Sequence, residues 1–552
     1  MRKTIARSVA MGLVGLLIQQ GPAAAFGPPE GPPTATPIKH LVVIFQENVS
    51  FDHYFATYPN ATNPGGEPRF VAQPETPTVS GLTGALASSN PNELNAANGT
   101  NAINPFRLDR SQASTCDQDH SYGDEQKAFD AGLMDLFPLS VGSGESAFCL
   151  DTYSYGKGNG IVMGYFDGNT VTAMWNYAQN FALNDNFYGT TFGPSTPGLL
   201  NLVAGTTYPA TLTGSSTKVV NKTGSTGTIA GDLDPTGDTC SSATTIQMGG
   251  KNIGDLLNAQ GLSWGSFMGG FDLTITNPNG TTLCKRSSPA TPANYTGSVP
   301  PPPDTNFTAD YIPHHAFFQY WASTANPSHT RPSVAPSLYG TSADTAANHN
   351  YDINDFFAAL DANNLPAVSF LKAPANMDGH AGYSDPLLEQ QFVVNVINAI
   401  QNSEFWRSTA IVITWDDSDG WYDHQIGPII NSSAVFQSSD AKDSDQLNGP
   451  GKCGNGAPLN SIEGRCGYGP RIPLLVISPF AKQNFVDHTL TDQSSIIHFI
   501  EDNWDLGRIG NGSFDALSGS IESMFDFSHH PNNGNDVLFL DPATGEPVHY
   551  RF

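Results

Sequence analysis

The chain has 552 residues, 39% hydrophobic and 10% aromatic, which excludes a disordered chain and allows one very large domain or several ordinary ones. Only 14% are charged, while 55 Gly and 41 Pro predict a core threaded with long, polar, neutral loops. Lys and Arg total 24 against 51 Asp and Glu, a formal charge of −27; such a surface repels phosphate backbones and anionic membranes, so no nucleic-acid partner is expected.

Residues 1–25 have the pattern of a signal peptide. Arg2, Lys3 and Arg7 give a basic start, residues 9–18 a short apolar run, and Ala23, Ala24 and Ala25 a small-residue cleavage site before Phe26. The run is too short to cross a bilayer, and no later stretch is long and apolar enough. Export to the periplasm or beyond is expected, with no transmembrane segment after cleavage. Residues 26–37 form a Pro/Gly-rich lead-in, and 38–552 are expected to be a single domain. Cys116, Cys149, Cys240, Cys284, Cys453 and Cys466 are an even set without C-x-x-C spacing, as suits disulfides in an oxidising compartment. Pairing of neighbours is expected, since each pair would close a loop.

Residues 38–45 (IKHLVVIF) are short, apolar and rich in β-branched side chains, the pattern of a buried strand in a parallel sheet. Similar runs recur at 262–267, 367–371, 410–415 and 472–478. Helical spacing appears at 388–401 and 493–503. A helix is also expected after Pro197, ending at Gly205. Strands alternating with helices predict an α/β fold with a doubly wound, mostly parallel sheet and helices on both faces. The stretches 60–115, 205–260, 272–312 and 425–470, rich in Thr, Asn, Gly, Pro and Ser, are expected to be long loop insertions over that core.

In such a sheet, sites form past the carboxyl ends of strands. Gln46, Glu47 and Asn48 follow one strand, and Asp416 and Asp417 another. Clustered carboxylates must shift their pKa values or share a cation, and carboxylate and amide oxygens suit a hard or borderline divalent metal. Ser195 lies near the start of the helix that contains Pro197, among backbone N–H groups that favour anions; Ser is also an ordinary helix cap. No G-x-S-x-G elbow is present, so metal activation is the alternative route to a nucleophilic Ser195. His120, His314, His315, His380 and His424 lie in expected loop regions, where histidines bind phosphate oxygens or protonate leaving groups. His314 and His315 are adjacent, which on a strand would send their side chains in different directions.

The segments IKHLVVIFQENVSFDHYFATYP (38–59), FGPSTPG (192–198), the His314–His315 pair, DGHAGYSDP (378–386), TWDDSDGWYDH (414–424) and GYGPRIPLLVISPFAK (467–482) succeed one another in a fixed order. In that order they resemble the bacterial phosphoesterase family that joins acid phosphatases and phospholipases C. The resemblance implies an alkaline-phosphatase-like fold and one divalent metal ion held by Glu47, Asn48, Ser195, Asp416 and Asp417. It further implies that His120, His314, His315 and His380 surround a phosphoryl group, which Ser195 attacks to form a phosphoseryl intermediate. The phospholipase C branch typically carries Thr followed by Pro-Asn-Arg where this chain has Ser195-Thr196-Pro197-Gly198. Its larger members also carry C-terminal β domains, for which a chain ending at Phe552 leaves no room. Both features lean toward the acid phosphatase branch and a phosphate monoester substrate. A phospholipid substrate is the near alternative, and a non-catalytic metal-binding exported protein the remote one.

Overall fold

An unbroken apolar run needs cover on both faces, and His40–Gln46 finds it at the centre of a sheet, with every residue after His40 buried. The computed structural model describes residues 33–142, 158–288, 308–437, 440–528 and 537–548. The main sheet has eight strands: β1 (His40–Gln46), β2 (Ala182–Asn184), β3 (Trp264–Met268), β4 (Asn350–Asp352), β5 (Val368–Lys372), β6 (Thr409–Trp415), β7 (Leu474–Ile477) and β8 (Phe485–Asp487). Their spatial order is β4-β3-β5-β1-β6-β7-β2-β8. All run parallel except β7, which is antiparallel to both neighbours. The α/β class and the mostly parallel sheet match the sequence pattern. The exception is the run at 472–478: composition marks a buried strand but does not encode its direction.

The long helices are α1 (Tyr122–Phe129), α2 (Thr172–Asn180), α3 (Ser195–Ala204), α4 (Ile253–Gln260), α5 (Ile353–Asp361), α6 (Pro386–Gln401) and α7 (Ser494–Asn503). They start and stop where local chemistry dictates. Asp385 accepts from the Leu387 and Leu388 N–H groups ahead of Pro386, capping α6. Gly205 ends α3 with a left-handed φ of 59°. Helix α3 packs against α4 and α7, while α2 packs against α6.

The stretch 205–260, expected to be loop, is ordered further: residues 210–248 build a separate five-stranded sheet, followed by α4. Its strands are short and rich in Thr, so they carry no continuous apolar run. Disulfides join Cys240 to Cys284 and Cys453 to Cys466, as neighbour pairing predicts. Cys149 and residues 1–25, expected from sequence to be a signal peptide, lie outside the described residues. No helix among the described residues is long and apolar enough to cross a membrane.

Candidate active site

Parallel pairing aligns the carboxyl ends of β5, β1 and β6: Gln46 lies opposite Trp415, and Ile44 opposite both Leu371 and Ile413. Residues just past these strands are therefore delivered to one edge of the sheet. Main-chain bonds fix them there. The Asp416 N–H donates to the Gln46 carbonyl (3.2 Å), the Glu47 N–H to the Asp378 carbonyl (2.9 Å), and the Val49 N–H to the Asp417 carbonyl (2.9 Å). Asn48 turns the chain with a φ of 56°, which Asn tolerates better than most residues.

Ser195 is the first residue of α3, with Pro194 at the N-cap position and no side chain capping the helix. The capping role open to it in sequence is thus not taken. Its hydroxyl instead reaches Glu47 Oε2 at 3.1 Å and Asp417 Oδ2 at 3.4 Å. Helix α3 can come this close because Gly198 lies directly against the Asp416 main chain, where any Cβ would overlap the carbonyl.

Glu47, Asn48, Ser195, Asp416 and Asp417 are all buried. Burial, then the Asp416 charge, pushes the Glu47 and Asp417 carboxyls well above the usual carboxylate range. Asp416 Oδ2 has no hydrogen-bond partner. One end of the Asn48 amide lies 2.6 Å from Glu47 Oε2 and 2.9 Å from Asp416 Oδ1, and the other lies 3.0 Å from His380 Nε2. If the amide nitrogen faced the carboxylates, its oxygen would need a proton from His380 Nε2. His380 Nδ1 already donates to the Ala381 carbonyl (2.5 Å), and burial lowers the ring pKa, so the neutral ring has no second N–H to give. With the amide oxygen toward the carboxylates, His380 Nε2 accepts from the nitrogen and three oxygens face one another. A cation relieves that arrangement, and the donor set suits a divalent metal.

The four expected histidines form two ring pairs near this cluster. His120 and His380 face each other edge to face, with ring centroids 6.0 Å apart. His120 Nδ1 contacts the Gln118 carbonyl (2.8 Å) and lies 3.3 Å from Asp419 Oδ1. Burial opposes a charged His120 ring, but Asp417, Asp117 and Asp419 raise its pKa well above the ordinary value. His315 is buried with Nδ1 3.2 Å from Glu47 Oε1, while the more exposed His314 lies 3.6 Å from Asp234 Oδ1. The pair sits in a short 3-10 turn, Pro313–His315, not on a strand; the preceding proline favours such a tight turn. His424 lies apart from this group, its Nδ1 2.6 Å from Asp52 Oδ2. A cavity of about 80 Å³ opens beside the cluster, lined among others by Gln118, His120, Pro194, Lys218 and Asp232.

A family model described as the phosphoesterase family matches residues 38–507. The chain belongs to the phosphoesterase family. Among relatives in this family, the non-hemolytic phospholipase C of Pseudomonas aeruginosa is 23% identical over 504 residues, covering 90% of this chain and 58% of that protein. This chain thus spans little more than half the length of that relative. Phospholipase C B of Mycobacterium tuberculosis is 22% identical over 532 residues, covering 95% of this chain and 83% of that one. Among solved structures, murine ectonucleotide pyrophosphatase/phosphodiesterase 5 is 11% identical, covering 64% of this chain and 95% of its own, with a TM-score of 0.30.

The phosphoesterase site contains groups beyond those expected from sequence. Lys372 is buried with its Nζ in contact with Glu47 Oε1 and 3.7 Å from Asp416 Oδ2. Burial opposes its charge, but Glu47 and Asp416 raise its pKa. The only hint in sequence is a charged residue at the end of a buried strand, still inside the strand rather than in the loop beyond it, where sites of this fold gather. Glu125 of α1 accepts from the Gly193 N–H (3.1 Å) and the Ser418 hydroxyl (2.7 Å), bracing the turn before Ser195 against the loop after Asp417. Burial pushes its carboxyl up to about 7.

Proposed function

We propose that the chain is an exported, metal-dependent hydrolase of phosphate monoesters, acting through Ser195. The observation that carries this reading is the Ser195 hydroxyl held 3.1 Å from Glu47 and 3.4 Å from Asp417, inside a buried cluster of oxygen ligands that suits a divalent cation. Glu47, Asn48, Ser195, Asp416 and Asp417 would hold one divalent ion, whose charge when bound lowers the serine pKa and offsets the negative phosphoryl group. Glu47 and Asp417 are placed to take the hydroxyl proton as Ser195 Oγ attacks phosphorus in line. The new Oγ–P bond forms as the ester P–O bond breaks, leaving a phosphoseryl group. His120, lining the cavity, is placed to protonate the departing alkoxide, with His314 and His380 nearby to orient phosphoryl oxygens. Water then cleaves the Oγ–P bond and releases phosphate. Export rests on the basic, apolar and small-residue pattern of residues 1–25.

A second reading, a phospholipase C cleaving phosphodiester head groups, is favoured by the relatives in Pseudomonas and Mycobacterium, both phospholipases C. Paired rate assays with p-nitrophenyl phosphate and with phosphatidylcholine, each with and without a chelator, separate the two. Chelator-sensitive monoester hydrolysis with an idle lipid arm is the expected result. A dominant lipid rate would transfer the chain to the second reading, and activity indifferent to chelation would sink the metal.

A further inference from the structure

Glu47, His315 and Asp378 each direct a ligand-type atom at the same space, the three atoms lying within 4.8 Å of one another. All three residues are buried. Two carboxylates and an imidazole so gathered are the donor set of a cation site. The group beside them is an ammonium. Lys372 Nζ contacts Glu47 Oε1, the oxygen that lies 3.2 Å from His315 Nδ1. The same Nζ is 3.7 Å from Asp416 Oδ2, the carboxylate oxygen that otherwise has no partner. On its other side it lies 5.3 Å from the centre of the Phe45 ring.

The position is built into the sheet. Lys372 is the last residue of β5 and pairs with Met268 of β3, so its backbone cannot drift. A buried lysine is uncommon unless paired, and here the pairing is with a cluster rather than with one acid. We propose that the Lys372 ammonium, held against Glu47 and Asp416, stands in for a cation at a second position that Glu47, His315 and Asp378 could form, supplying from the chain itself a charge that would otherwise need another metal ion. This rests on the metal-dependent function only in that Glu47 is shared between the two positions. An ordinary salt bridge from Lys372 to Glu47 makes a different prediction: removing the lysine would then leave no place for an ion.

The test is a count of bound Mn²⁺ per chain, by elemental analysis of the full-length protein after dialysis, for the parent, Lys372→Ala, Lys372→Arg and Lys372→Met. Lys372→Ala is expected to bind one ion more than the parent. Lys372→Arg, which keeps the charge, and Lys372→Met, which fills the space, are expected to match the parent. An unchanged or lower count in Lys372→Ala overturns the proposal, as does an equal gain in Lys372→Met. If Lys372→Ala is too unstable to purify, its refolding yield with and without Mn²⁺ decides: rescue by the ion supports the proposal, and its failure overturns it. A parent that binds no ion would sink the metal-dependent function instead, and the gain in Lys372→Ala would then be counted from zero.

Discussion

Gly198→Ala is a test of the joint between α3, which carries the proposed nucleophile Ser195, and the loop after β6. A Cβ built at Gly198 overlaps the Asp416 carbonyl oxygen and comes within 2.8 Å of the carbonyl carbon and 3.1 Å of Cα. Ordinary carbon–carbon contact needs about 3.5–4.0 Å, so α3 or the Asp416 loop must yield by roughly 1 Å. Neither has slack: α3 is buried along its whole length, and the loop is tied to β1 by the bond from Asp416 to Gln46. Overpacking of this kind costs about 1–3 kcal/mol of stability. The larger effect falls on rate, because Ser195 sits one turn before Gly198 on the same helix, and a displacement of about 1 Å at a reacting group costs on the order of a hundredfold. Steady-state kinetics on p-nitrophenyl phosphate, beside a thermal melt, reads both effects. The expected outcome is kcat reduced about a hundredfold in a protein that still folds. A kcat and melting temperature both close to those of the parent would show that the contact between α3 and Asp416 does not position the serine.

Asp417→Asn and Asp416→Asn should each lower bound metal as well as rate; unchanged stoichiometry by elemental analysis would remove them from the ligand set. Glu389 accepts from the Tyr54 hydroxyl and the Trp415 indole N–H, both at 2.7 Å, and burial pushes its carboxyl up from 4.5 to about 8. Between those values the folded chain holds a proton that the unfolded chain releases, so this group's contribution to stability is full below pH ~4.5 and falls as pH rises toward ~8. Glu389→Gln should flatten the decline in melting temperature between pH 5 and pH 8 relative to the parent; parallel curves would contradict the assignment.

The central strands were legible because burial on both faces demands continuous apolar runs, as at 38–45 and 410–415. The three-residue strands β2, β4 and β8 were not, since so short a run has no periodicity to read. In the site, Glu47, Asn48, Asp416 and Asp417 were visible as acidic or amide residues directly after buried strands. Ser195 was visible from Pro197 and Gly205, although its orientation toward carboxylates rather than its own helix depends on Gly198 meeting a segment more than two hundred residues away. Lys372 and Glu125 are not legible in the sequence because their meaning arises only when separate elements meet: β5 beside β1 for the lysine, and α1 behind the Gly193 turn for the glutamate.

The most direct test of the account is rapid acid quenching during turnover of p-nitrophenyl phosphate, followed by mass spectrometry of the peptides. A phosphoryl group on the peptide bearing Ser195, appearing during turnover and absent without substrate, is the predicted result. Sustained turnover with no phosphoryl label on that peptide at any quench time would contradict the central role given to Ser195.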